Sequence, residues 1–168
     1  MPGHDILLIP EQENANKTIM EPIGTAWAST LTDFVTNGGI VILMDCYSLP
    51  YSEDGPTSHL YNASGLMQID GINPAGSVGT ANVVNSSDAL SRGIASSWGM
   101  VSGTISFDIS DGTTVVDDGT DPLVVHKIMG QGHVVLLGFD LFNRETNYDT
   151  LLANAIRLYR HVVFDESH

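Results

Sequence analysis

The sequence predicts a three-layer α/β domain whose parallel core sheet carries antiparallel strands at its edge. Three observations carry that prediction. Ile40 to Met44 (IVILM) and Val134 to Leu137 (VVLL) are apolar at every position. Such runs suit strands buried on both faces, the state of parallel strands covered by helices on either side. Both runs are entered through glycine, at Asn37-Gly38-Gly39 and at Gly130-Gln131-Gly132, and both leave towards aspartate, Asp45 and Asp140. An amphipathic stretch precedes the first run and another follows the second, the alternation that builds α/β layers.

Taken in order, Asp5 to Pro10 reads as a buried strand stopped by proline, and Glu11 to Lys17 as a polar loop. Thr25 is placed to cap a helix over 25–37, with Trp27, Leu31, Phe34 and Val35 on its core face at i, i+4, i+7 and i+8. Asn37-Gly38-Gly39 ends it, because glycine enters the left-handed conformation of a C-terminal cap without steric cost. The strand at 40–44 then completes a βαβ unit, expected to cross over right-handed. Leu49 to Pro56 forms a turn region, His59 to Met67 a short helix, and Ile69 to Asn85 a glycine-broken extended stretch. Ser87 to Gly93 holds one capped helical turn. Segments near 100–109, 113–117 and 122–129 read as short strands separated by Asp/Gly turns, expected as antiparallel additions at a sheet edge. Gly130-Gln131-Gly132 makes a hairpin turn into the late strand, 133–140. The closing helix carries Tyr148, Leu151, Leu152, Ala155, Ile156 and Tyr159 on one stripe. Asn147 is placed to cap it, with Asp149 in the first turn and Arg157 and Arg160 in the last, both signs matching the helix dipole.

At 168 residues a single domain, 1–168, is expected, large enough for a substantial core. Six Lys+Arg stand against 20 Asp+Glu, a formal net charge of −14, and only 15% of residues are charged. Average domains carry roughly 25%, so this surface is built mainly from Ser, Thr, Asn, Gly and carboxylates. So few cations cannot neutralise a run of phosphates, which argues against nucleic acid and, for the same reason, against an anionic membrane surface. No window approaches the ~18 continuous apolar residues of a membrane span. Met1 to Asp5 lacks the basic start of a secretory signal. As it stands the chain reads as cytoplasmic, or as a domain of an exported parent. Cys46 is the single cysteine, so no internal disulfide forms.

The residues 5–10, 34–44, 88–94, 130–140 and 147–158, in that order, resemble the class I glutamine amidotransferase-like superfamily. The resemblance is to its divergent branch, which includes the ThuA-like proteins. It implies a flavodoxin-like three-layer fold whose first strand and helix are missing here, so that the chain is a fragment or its sheet is rearranged or completed by another subunit. In active members the nucleophile sits in a Gly-x-Cys-x-Gly turn after a central strand. The matching run here is Met44-Asp45-Cys46-Tyr47-Ser48, with the cysteine in place and neither glycine. Side chains make the strained turn costly. The family's catalytic histidine follows a late strand, where this chain has Asp140. A carboxylate raises a neighbouring thiol's pKa instead of activating it. Glutaminase activity is therefore not expected.

Ligands of open α/β sheets bind beyond the carboxyl ends of the parallel strands. Those ends supply Glu11 and Glu13, Asp45 and Cys46, and Asp140, with His59 able to fold back over them and Trp98 facing a ligand. The expected result is an acidic pocket for a small polar molecule such as a carbohydrate, without a cofactor. Two other classes stay open. One is a hydrolase using Cys46 with His59, or a metal-bound water held by the same carboxylates. The other is a structural module that forms a homo-oligomer or docks within a parent chain. Asp108, Asp111, Asp117, Asp118 and Asp121 lack calcium-loop spacing and read as turn residues. His126 and His133 fall on one face if the hairpin loop has two residues, and on opposite faces if it has three. A metal site there requires the first register and a third ligand, so no metal is assigned.

Overall fold

The computed structural model describes residues 5–75, 79–143 and 145–159. The elements are β1 (Ile6–Ile9), α1 (Lys17–Thr36), β2 (Ile40–Met44), β3 (Tyr47–Ser48), β4 (Glu53–Asp54), α2 (Ser58–Ser64), β5 (Ile69–Pro74) and β6 (Thr80–Val83). A 3-10 turn at Ala89–Ser91 follows, then β7 (Ser97–Gly99), β8 (Ile105–Ile109), β9 (Thr113–Asp117), β10 (Pro122–Met129), β11 (Gly132–Leu137) and α3 (Thr146–Arg157). Seven strands form one sheet in the order β1-β2-β11-β10-β9-β6-β7. β2 is the centre of a parallel trio, with Ile40 opposite both Ile6 and His133. From β11 outward every pairing is antiparallel. This is the flavodoxin-like α/β arrangement, with a parallel core and antiparallel additions on one side.

Alternate residues of the central strands feed two cores. Val41, Leu43, Val134 and Leu136 meet Leu31 and Phe34 of α1, Tyr61 of α2 and Phe107 of a two-stranded β5–β8 ribbon. Ile40, Ile42 and Val135 meet Leu90 of the 3-10 turn and Tyr148 and Leu151 of α3 on the other face. Every residue of β2 is buried, as the apolar run required. The hairpin between β10 and β11 pairs Met129 with Gly132, leaving a two-residue loop with positive φ at Gly130. A side chain at Gly130 would meet Thr36 at the end of α1 at 2.7 Å, so glycine is required there for space as well as conformation. No helix among the described residues is long and apolar enough to cross a membrane.

Five local expectations are corrected. β1 is an edge strand, not a buried one: among the described residues it pairs with β2 alone, and Leu8 is 41% exposed. α1 starts eight residues before Thr25, at Lys17, because Asn16 caps it by accepting the Ile19 N–H, and it runs through Pro22. Trp27 is 45% exposed. The buried line of α1 passes through Gly24 and Leu31, and Ala28 rather than Trp27 continues it. α3 is capped by Glu145, which accepts the Asn147 and Tyr148 N–H groups. Asn147 instead accepts the Ala95 N–H. On α3, Asn154 is buried and Ile156 is 42% exposed, a turn of the stripe towards the 3-10 turn, where the carbonyls of Leu90 and of Arg92 just after the turn receive the Asn154 amide. Arg160 lies outside the described residues.

Candidate functional site

The carboxyl ends of the parallel trio meet at one rim. After β1 the chain supplies Glu11 and Glu13, after β2 Asp45 and Cys46, and after β11 Asp140. Glu11, Glu13 and Cys46 each bring one donor atom within 4.8 Å of the others. The Leu141 N–H, just past Asp140, points at Glu11 at 3.5 Å. Burial raises the Glu11 pKa, the Cys46 thiol opposes that rise by hydrogen bonding, and the charges of Asp140 and Glu13 add to it.

Cys46 is buried beneath these carboxylates, its sulfur 4.0 Å from Glu13 and 3.6 Å from the Tyr47 carbonyl oxygen. Burial, then Glu11, Asp45 and Asp140, push the thiol far above its ordinary range. The chain after Cys46 enters the β3–β4 hairpin instead of a helix. Among the described non-glycine residues, Ser52 is the one with positive φ. Cys46 therefore occupies no strained nucleophile turn, and the thiolate that catalysis or metal ligation would need is opposed by its surroundings.

His59 does not join this group. Its imidazole lies 3.4 Å from Glu53 in a neighbouring hollow of about 400 Å³ that also contains Lys17, Asp54, Asn62 and Asp70. Burial, then the Lys17 ammonium, lower its pKa, and Glu53 works against them. In the Cys46–His59 alternative the two side chains act together; the imidazole's partners here are Lys17 in the first turn of α1 and Glu53 of β4. Asp45 belongs to the rim in sequence but lies under it. Fully buried, it accepts the Cys46 and Thr57 N–H groups and both the N–H and the hydroxyl of Ser58. It thereby fastens the start of α2 to the end of β2. Burial raises its pKa to about 7 against those donors. Trp98 is also placed differently from expectation, packed in the α3-side core beside Phe139 and Tyr148 at centroid separations of 6.4 and 6.1 Å.

What opens at the rim is a hollow of about 480 Å³, lined by Glu13, Tyr47, Leu49, Asp54, Pro74, Ser102, Gly103, Thr104 and Asp140. Asp140 is held by an Asx turn to the Phe142 N–H and by the Asn143 amide. Gly103 abuts it, since a side chain there would lie 3.0 Å from the carboxylate. The Oδ1 of Asp54 is buried with no hydrogen-bond partner, and burial raises that carboxyl's pKa. The sequence reading reached Glu13 and Asp140 through the strand-end rule. It missed Tyr47, Asp54 and Ser102 to Thr104, which sit in turns whose spacing carries no signal for a site. The hydrogen bond from the Tyr47 N–H to the Gly103 carbonyl oxygen brings those turns together.

No known family model and no curated protein sequence matches the chain. Solved structures do. A cytoplasmic protein from Salmonella typhimurium superposes with a TM-score of 0.64 at 17% identity, over 92% of this chain and 71% of that one. The β-galactosidase from Bacillus circulans sp. alkalophilus gives 0.59 at 10% identity, over 94% of this chain and 23% of the enzyme. A ThuA-like protein from Bacteroides uniformis gives 0.52 at 13% identity, over 92% of this chain and 69% of that one. The chain thus shares its fold with a ThuA-like protein and spans less than a quarter of a β-galactosidase that contains the same architecture.

Proposed function

We propose that this chain is an amidotransferase-like domain without glutaminase activity that binds a small polar ligand of the carbohydrate class at the strand-end rim. The observation that carries this reading is the 480 Å³ hollow, in which Glu13, Asp54 and Asp140 present carboxylate acceptors beside Tyr47, Leu49 and Pro74. Hydroxyl groups donate to carboxylates while apolar faces of a ring lie against the aromatic and proline surfaces. Burial, then the charge of the adjacent Glu11, keeps the Cys46 thiol protonated. The β-galactosidase and ThuA-like neighbours add a common fold, and the ligand class rests on the hollow itself.

The test is thermal denaturation with monosaccharides, disaccharides and polyols at millimolar concentration, repeated on Asp140→Asn and Asp54→Asn. A saturable rise in Tm that both substitutions reduce is expected. A panel that shifts nothing, or a shift that both variants retain, removes the proposal.

A second reading, the docking module, is favoured by the outer edge of β1, which pairs with no strand among the described residues and exposes Leu8. Sedimentation across a hundredfold concentration range, with Leu8→Lys as control, separates it from a ligand-binding monomer.

A further inference from the structure

Away from the rim, at the opposite end of the sheet, the β10–β11 hairpin brings two imidazoles together. With the two-residue loop, His126 faces Val135 across the strands and His133 faces Ile128, so the two histidines are diagonal neighbours on the α3-side face. His126 is 8% exposed and His133 is half-buried. Their facing nitrogens, Nε2 of His126 and Nδ1 of His133, are 2.9 Å apart. The other nitrogen of His126, Nδ1, lies 2.8 Å from Asp88 Oδ2, and Asp88 is itself anchored by accepting the Leu90 N–H.

This geometry determines where the lone pairs point. A carboxylate only accepts, so the hydrogen between Asp88 and His126 resides on Nδ1. In the neutral ring the Nε2 lone pair of His126 is then aimed at His133. Two nitrogens this close need a positive centre between them, either a shared hydrogen or a cation. A carboxylate behind one imidazole is also the arrangement that orients metal-ligating histidines and makes them better donors. Nitrogens bound to one tetrahedral metal at about 2.0–2.1 Å lie roughly 3.3 Å from each other, so a few tenths of an ångström of separation, a swing of the rings that turns both lone pairs to one point, and a hydrogen on Nε2 of His133 convert the pair. A hollow of about 400 Å³, lined in part by Asn85, Asp88, Thr113 and His126, connects the chain to solvent.

We propose that His126 and His133 form a binding site for a borderline divalent cation of the zinc, nickel or copper class, with Asp88 orienting His126 from behind. The hairpin register alone left a third ligand to be found. The structure supplies a positioning carboxylate instead, so water completes the coordination and the site is a modest-affinity one. Imidazole donors select these metals over magnesium and calcium, which take oxygen. Lys127, the neighbouring cation on β10, lines the same hollow, with its ammonium paired with Asp111 and the Leu66 carbonyl oxygen.

Nickel and zinc titrations of the whole chain by calorimetry at neutral pH, alongside a ring-proton NMR titration with nickel, test the site. One equivalent is expected to bind and selectively broaden the His126 and His133 ring signals. His133→Gln should weaken binding at least tenfold, and Asp88→Asn by about 10–100-fold, the usual loss when an orienting partner is removed. Cys46→Ser should leave it unchanged. The broadening in the unsubstituted protein is independent of how any variant folds. Binding that survives His133→Gln, binding lost with Cys46→Ser, broadening at other residues, or no binding at all overturns the proposal.

Discussion

Asp45 shows what one carboxylate does when it is removed from water and surrounded by donors. Its four hydrogen bonds tie Cys46, Thr57 and Ser58 to the end of β2. Asp45→Asn keeps the volume but sets an amide against donors, and it is expected to cost about 2 kcal/mol, the scale of a buried donor left unsatisfied. Chemical denaturation measures this. The pH dependence has a definite sign. The folded-state pKa is raised from 3.8 to about 7, so between those values the folded chain holds more protons at this site than the unfolded one. Its contribution to stability therefore falls as pH rises from about 4 to about 7 and levels off above. The difference in stability between the parent chain and Asp45→Asn should shrink across that window, and a flat difference would refute the assignment. Cys46 gives a second expectation at this scale. With burial and carboxylates both opposing its thiolate, iodoacetamide at pH 8 should label it only after unfolding, as read by mass spectrometry. Rapid labelling of the folded chain would contradict the placement.

Elements are joined here by close approaches that particular residues permit. α1 rests on α2 through Gly24, where a side-chain carbon would lie 2.5 Å from the Leu60 carbonyl oxygen and 3.0 Å from Ala63. Gly24→Ala improves helix propensity by roughly 1 kcal/mol, yet overpacking costs about 1–3 kcal/mol, so a net loss of stability is expected in urea denaturation. This contact also explains what the sequence disclosed and what it withheld. The apolar runs at 40–44 and 134–137 announced the parallel trio because burial on both faces leaves no room for polar residues. The strand-end rule then located Glu11, Glu13 and Asp140 on one rim. It was silent on depth: Asp45 directly follows β2 and Asp140 is the third residue after β11, and α2 begins directly over Asp45 and buries it. His59 follows Cys46 closely in sequence, yet Glu53 of the intervening β3–β4 hairpin takes its ring. Trp27 was misread because periodicity marks a stripe, and the neighbour that decides the stripe's centre is α2, which no local pattern reveals.

At the scale of the whole molecule, charge and topology dominate. A formal net charge of −14 with 6 cations means that carboxylates repel one another across most of the surface. Raising salt from about 0.01 M to about 0.15 M shortens the screening length from roughly 30 Å to roughly 8 Å. The thermal midpoint should rise accordingly, by about 2–4 °C for each kcal/mol of repulsion relieved. A midpoint insensitive to salt would show that local pairing already offsets the excess.

The split sheet has a kinetic consequence. β9, β10 and β11 are consecutive and joined by short turns, so their ladder closes cheaply, whereas the pairing of His133 with Ile40 must wait for nearly the whole chain between them to be synthesised and gathered in. The antiparallel meander should therefore be structured in the folding transition state and the β2–β11 seam should zip last. Truncating Val116 is expected to slow folding, while truncating Val41 mainly hastens unfolding.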